Sequence, residues 1–114
     1  MRIEEIRDIL QCKVLTGDEG LSTEVHDVVA SDGMSEILAF HCPGALMLTG
    51  LTNIQSVRTA DFADVRAIVY LRGKEPNERV IQFACKKKIP LLTTTIGMFD
   101  ACGILREHGM KGAM

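Results

Sequence analysis

Four clusters of small polar residues carry most of the chemistry this chain could do: Ser31-Asp32, Thr49-Gly50 with Thr52-Asn53, Arg72-Gly73, and Thr93-Thr94-Thr95. Each closes an apolar run that reads as a strand. In open α/β sheets, ligands bind beyond the carboxyl ends of strands, near the point where strand order reverses. Hydroxyls, amides, one guanidinium and flexible backbone together suit an anion or a phosphate-bearing small molecule held at helix N-termini. The candidate ligand-binding residues are therefore Asp32, Thr49, Gly50, Thr52, Asn53, Arg72, Gly73 and Thr93. The same residues also have a purely structural reading. Asp32 and Thr52 are natural helix caps, Gly50 and Gly73 suit tight turns, and Thr93 to Thr95 are β-branched strand residues.

Other chemistry is harder to assemble. There is no G-x-x-x-x-G-K-[ST] phosphate cradle, no G-x-G-x-x-G or G-x-S-x-G, and no H-E-x-x-H. Glu4, Glu5, Glu36 and Asp64 fall on predicted polar faces or connections. Cys12, Cys42, Cys85 and Cys102 are widely separated, with no C-x-x-C pair, and read as buried small hydrophobes. His26, His41 and His108 are equally scattered. The chain is therefore expected to be a non-enzyme, with no cofactor and no metal.

The elements that position these clusters can be read from periodicity. Ile3, Ile6 and Leu10 predict a short N-terminal helix, and "KVLTG" (Lys13 to Gly17) a brief strand. A strand is expected in "EVHDVVASD" (Glu24 to Asp32), then a short helix capped by Asp32 and built on Met34, Ile37 and Leu38. "ALMLT" (Ala45 to Thr49) reads as a strand covered on both faces. Thr52 with Gln55 matches a capping box, and Ile54, Val57 and Phe62 supply the buried side of the helix it opens. "RAIVYL" (Arg66 to Leu71) is the next strand. Beyond the first-turn Pro76, the helix Asn77 to Lys88 puts Val80, Ile81, Ala84 and Cys85 on one stripe. "IPLLTT" (Ile89 to Thr94) is the last strand, and a final helix carries Phe99, Cys102 and Leu105 on one face.

Strands alternating with helices imply right-handed crossovers and a parallel sheet. The expected fold is a single α/β domain, with a mainly parallel sheet of about five strands, helices on its faces, and Val28, Leu46, Leu48, Ile68, Val69 and Leu91 in the core. It spans residues 1–108, and the tail at 109–114 is expected to fray. The 114 residues, 46% hydrophobic and 25% charged, are enough to bury a core without disulfides or metals. A net charge of −2 without a basic stripe makes nucleic acid an unexpected partner. Lys86-Lys87-Lys88 reads as a solvated helix C-terminus, where cations suit the macrodipole. No apolar run approaches a membrane span and nothing resembles an export signal, so a cytoplasmic location is expected.

The segments "VVASDGMSEILAF", "ALMLTGLTNIQSVRTADFADVRAIVYLRGKEPNERVI" and "KKKIPLLTTTIGMFDACGIL" resemble the DRTGG domain family in its small stand-alone form, from about Ile3 to His108. The resemblance implies the α/β fold of the N-terminal domain of HPr kinase/phosphorylase and a regulatory role. It also implies homodimers and a hydrogenase-related or kinase-related protein partner. The family's Asp-Arg positions fall on Thr52 and Asn53, and its Thr-Gly-Gly positions on Leu71, Arg72 and Gly73, so only the last glycine is kept. Two functions follow as expectations: a module sensing a small phosphorylated or nucleotide ligand, or an assembly module without a ligand of its own. The first requires Thr49, Gly50, Thr52, Asn53, Arg72, Gly73 and Thr93 to converge on one concave, partly polar cleft, with backbone N–H groups left free for an anion. The second requires those strand ends to be filled by side chains or by a partner subunit, leaving no pocket. For self-association, the helices carrying Met34, Ile37 and Met98, Phe99 are the candidate surfaces.

Overall fold

A computed structural model describes all 114 residues. In chain order the elements are α1 (Ile3–Ile9), β1 (Lys13–Thr16), a single 3-10 turn (Asp18–Gly20), β2 (Asp27–Ala30), α2 (Met34–Phe40), β3 (Leu46–Thr49), α3 (Ile54–Phe62), β4 (Ala67–Tyr70), α4 (Glu78–Lys87), β5 (Leu91–Thr93), α5 (Met98–Glu107) and β6 (Lys111–Gly112). The sheet runs β1-β5-β4-β3-β2-β6. All its pairings are parallel except that of the edge strand β1 with β5.

From β2 to β5 the chain steps across the sheet in one direction. The helices of those crossovers, α2, α3 and α4, bury Ile37, Val57, Ala60, Val80 and Ala84 against Met47, Ile68, Tyr70 and Leu91 on one face. Helix α5 then returns over the opposite face to the far edge. There Ala101 and Leu105 join Ile3 and Ile6 of α1 against Leu46, Leu48, Val69 and Leu92. With helices on both faces, β3 and β4 are buried along their whole length, and their sequences are accordingly continuous apolar runs rather than alternating ones. Each buried Leu, Met, Ile or Val side chain among them contributes about 1.5–3 kcal/mol.

The predicted architecture holds, with corrections that have local causes. Val28 is only half-buried, and its neighbour Val29 fills the core in its place. Next to the two-residue β6, the sheet face carrying Val28 is incompletely covered. Phe62 and Phe99, expected on buried faces, are 77% and 90% exposed. The inward positions go to Val57 and Ala60 in α3 and to Ala101 and Leu105 in α5. Cys85 is exposed, because Val80 and Ala84 take the inward positions of α4. Leu38 is likewise turned outward, while Ile37 is buried in α2. The tail expected to fray is tied down instead: Met110 is buried, β6 pairs with β2, and the Ala113 N–H donates to the Val28 carbonyl at 2.9 Å. No helix is long and apolar enough to cross a membrane.

Candidate functional site

Parallel strands put all their carboxyl ends on one edge of the sheet, so the four predicted clusters share that edge. Two neighbouring connections diverge there. The loop after β4 leads to α4 on one face, and the loop after β5 leads to α5 on the other. Such a switch point opens a crevice in this class of sheet. Here the two loops are laced together. The Arg72 N–H donates to the Ile96 carbonyl at 3.0 Å, and the Gly73 N–H donates to the Thr94 carbonyl at 2.8 Å. The Thr93 hydroxyl donates to the Lys74 carbonyl at 2.7 Å. Thr93, predicted as a ligand contact, is thus buried and already committed to the loop.

Arg72 and Gly73 both adopt left-handed backbone, with φ of 57° and 71°. Glycine does so freely, whereas a side chain pays about 1–2 kcal/mol. Four other non-glycine residues share this conformation, and all follow helices: Gln11, His41, Asp64 and Lys88. Arg72 is the exception, since it ends a strand. The turn aims its side chain back across the strand ends. A Cβ on Gly97 would sit 4.0 Å from Arg72 Cγ, and one on Gly50 would sit 2.9 Å from Arg72 Nη2 and 3.6 Å from Asp32 Oδ1. The absence of a side chain at Gly50 is therefore what admits the guanidinium. Arg72 is exposed and takes no part in the ion pairs of the chain.

Asp32 does not cap α2 as predicted. The N-cap is Gly33, and the Gly33 N–H is taken by the Ser31 hydroxyl at 2.8 Å. Asp32 Oδ1 instead accepts from the Gly50 N–H at 2.7 Å and the Thr49 hydroxyl at 2.9 Å. The Gly50 N–H bond, the Thr49 hydroxyl and the nearby Arg72 and Lys74 cations hold its carboxyl below the usual 3.8, outweighing partial burial. The carboxylate is therefore ionised at neutral pH, and no hydrogen bond in the protein reaches its second oxygen. The Thr49 hydroxyl also accepts from the Leu51 N–H at 3.1 Å.

The backbone cradle expected at Thr49-Gly50 is thus filled from within, because Asp32 and Thr49 occupy the N–H groups of Gly50 and Leu51. Thr52 is not the cap of α3 either. Asn53 is, and its side chain accepts from the Gln55 N–H at 3.1 Å. Donors without a protein partner lie elsewhere: at Thr52, Asn53 and Ile54, and at Gly97, Met98 and Phe99 where α5 begins on a glycine without a side-chain cap. Of the eight predicted residues, Asp32, Thr49, Gly50 and Arg72 meet directly. Gly73 and Thr93 support the Arg72 loop from beneath. Asn53 lines a separate groove between α3 and α4. Sequence reading missed Gly97 and Lys74. The signal for Gly97 was a glycine directly before a helix pattern in "TTIGM".

The site as built offers an uncommitted cation, an uncapped helix N-terminus and an anionic acceptor side by side. It has no nucleophile with an adjacent base. The buried Tyr70 hydroxyl meets Ser56 Oγ at 2.7 Å, and Ser56 Oγ donates to the Asn53 carbonyl. Burial pushes the Tyr70 phenol up to about 12, so this pair is structural rather than reactive at neutral pH.

The DRTGG domain model matches residues 5–107, so the chain belongs to the DRTGG domain family. No curated protein is similar enough in sequence to match it. A crystal structure of the CBS and DRTGG domains of the regulatory region of Clostridium perfringens pyrophosphatase, complexed with the activator diadenosine tetraphosphate, matches over 91% of this chain with a TM-score of 0.76 and 19% identity. The match covers 45% of that structure's chain, so the present chain spans less than half of its length. Likeness at that identity establishes the shared fold.

Proposed function

We propose that this DRTGG domain works as a non-catalytic regulatory module that binds a small phosphate-bearing ligand, such as a nucleotide, at the carboxyl ends of β2 to β5. The observation that carries this reading is Arg72, a cation left without a partner and held in left-handed backbone across Gly50 and Gly97. A phosphate between its guanidinium and the free N–H groups of Gly97, Met98 and Phe99 would gain charge-assisted bonds and the positive end of α5. The free oxygen of Asp32 suits a hydroxyl donor on the same ligand, as on a sugar. Thr52 would add a backbone donor beside Gly50. The regulatory setting of the pyrophosphatase relative is consistent with such a role. The regulated target would be a protein partner of the hydrogenase-related or kinase-related kind that the resemblance implies.

A thermal-shift screen of nucleotides and phosphorylated metabolites tests this. A ligand at a hundredfold its dissociation constant adds about 2.7 kcal/mol of stability. Arg72→Ala is expected to weaken binding by roughly 1.5–3 kcal/mol while leaving the unliganded midpoint in place. If no compound shifts the midpoint and Arg72→Ala changes only assembly, the strand ends are structural.

One observation favours assembly as a second property. Phe99 is 90% exposed beside an apolar groove of about 420 Å³ formed with Val28, Ala30, Cys102 and Met110 at the β6 edge. A homodimer formed there would cover the ring, and Phe99→Glu should convert it to a monomer in sedimentation.

A further inference from the structure

Helices α3 and α4 open in the same way and side by side. Asn53 and Asn77, their N-caps, have φ of −77° and −76° and ψ of 174° and 172°. Between them lies a groove of about 470 Å³, within the range of roughly 300–1,000 Å³ typical of small-molecule pockets. Arg58 enters it from α3. Arg79, Val80 and Phe83 enter it from α4, and the two asparagines line its mouth. No acidic residue lines it, although acidic residues outnumber basic ones in the chain by 15 to 13.

Both arginines are exposed and make no ion pair, whereas the neighbouring Lys87 is bridged to Asp61 at 3.3 Å. Two unpaired arginines lining one groove give it a positive potential, and an anion bound there is attracted to both charges. The helix ends themselves are not the anchor, because the asparagine side chains already accept from the Gln55 and Val80 N–H groups. Any charge recognition must come from the arginines. Apart from the asparagines at its mouth, the rest of the lining is apolar, from half-buried Ile54 and Phe83 and buried Val80, and Lys87 Nζ lies 5.7 Å from the Phe83 ring centroid. A guanidinium pair beside an aromatic ring matches an anion carried on a flat ring better than a free inorganic ion.

We propose that the groove between α3 and α4 is a second ligand site, which binds a phosphate or carboxylate attached to an aromatic ring. The inference is independent of the strand-end reading, since it uses neither Arg72 nor Asp32. Amide NMR titrations of the isotope-labelled full chain with phenyl phosphate and with inorganic phosphate, followed at the groove amides of Arg79, Val80 and Phe83, test it. Phenyl phosphate is expected to bind with the lower dissociation constant. Arg58→Ala and Arg79→Ala should each weaken it by about tenfold, the effect of losing one charge-assisted bond. Arg72→Ala should leave it unchanged. Phe83→Leu should erase the preference for phenyl phosphate over inorganic phosphate, a ratio that a mere loss of stability would not move. The proposal is overturned if neither probe saturates, if both bind equally well to the wild type, or if binding survives both groove variants but is lost in Arg72→Ala.

Discussion

Arg72 and Asp32 sit close enough to share a site yet do different work. Asp32 holds the β2 and β3 ends together, and the Arg72 side chain makes no hydrogen bond or ion pair in the protein, although its charge helps keep Asp32 ionised. The pH dependence of stability follows from the first. A carboxyl whose folded pKa is depressed contributes stability that is present above its unfolded pKa and lost as pH falls through the folded value. The stability difference between wild type and Asp32→Asn should therefore be constant above about pH 5 and shrink below about pH 4 in urea titrations. A difference that instead grew on acidification would contradict the bonding described. Gly50→Ala probes Arg72 from the other side. The added methyl would crowd the far end of the flexible Arg72 side chain and meet Asp32 Oδ1 at an ordinary contact distance, so stability should change by less than about 1 kcal/mol. Ligand affinity should fall as it does in Arg72→Ala, because the guanidinium is pushed aside. Sequence reading could name these residues as strand-end groups. It could not show that Asp32 reaches over to Gly50, because hydrogen bonds spanning 18 residues leave no periodic trace.

Among the elements, strands and helices buried on a full face were readable, and those defined by a few contacts were not. Continuous apolar runs announced β3 and β4, and the Val80 and Ala84 spacing announced α4. The caps slipped by one residue. Thr52 and Asp32 have the right side chains, but the backbone first turns helical after Asn53 and Gly33. The outward turn of Phe62 and Phe99 followed from rotations of one position, which periodicity leaves open when small residues such as Ala60 and Ala101 can take the inward place. Strand β6 was invisible because two residues carry no pattern. Its weight can be measured: removing residues 110–114 deletes the buried Met110 and the pairing with β2. The loss should be about 2–5 kcal/mol in urea denaturation, the cost of emptying a methionine-sized core position. A truncated chain as stable as the full one would show that the tail contributes nothing.

At the scale of the whole molecule, the alternation of strands and helices was enough to foresee a parallel α/β sheet. Strand order was not, because nothing local says that α5 returns across the opposite face. That return creates the switch point between β4 and β5 and brings Gly97 under Arg72, so the most informative part of the site depends on the least legible part of the topology. The central claim is that this edge binds a phosphate-bearing ligand. The most direct measurement is an amide NMR titration of the isotope-labelled chain with a ribonucleoside phosphate. Saturable shifts at Arg72, Gly97, Met98, Phe99 and Thr52, absent in Arg72→Ala, are the predicted result. Shifts that fail to appear at millimolar ligand, or that stay confined to the apolar groove around Met110 and Cys102, would contradict it and leave the domain as an assembly module.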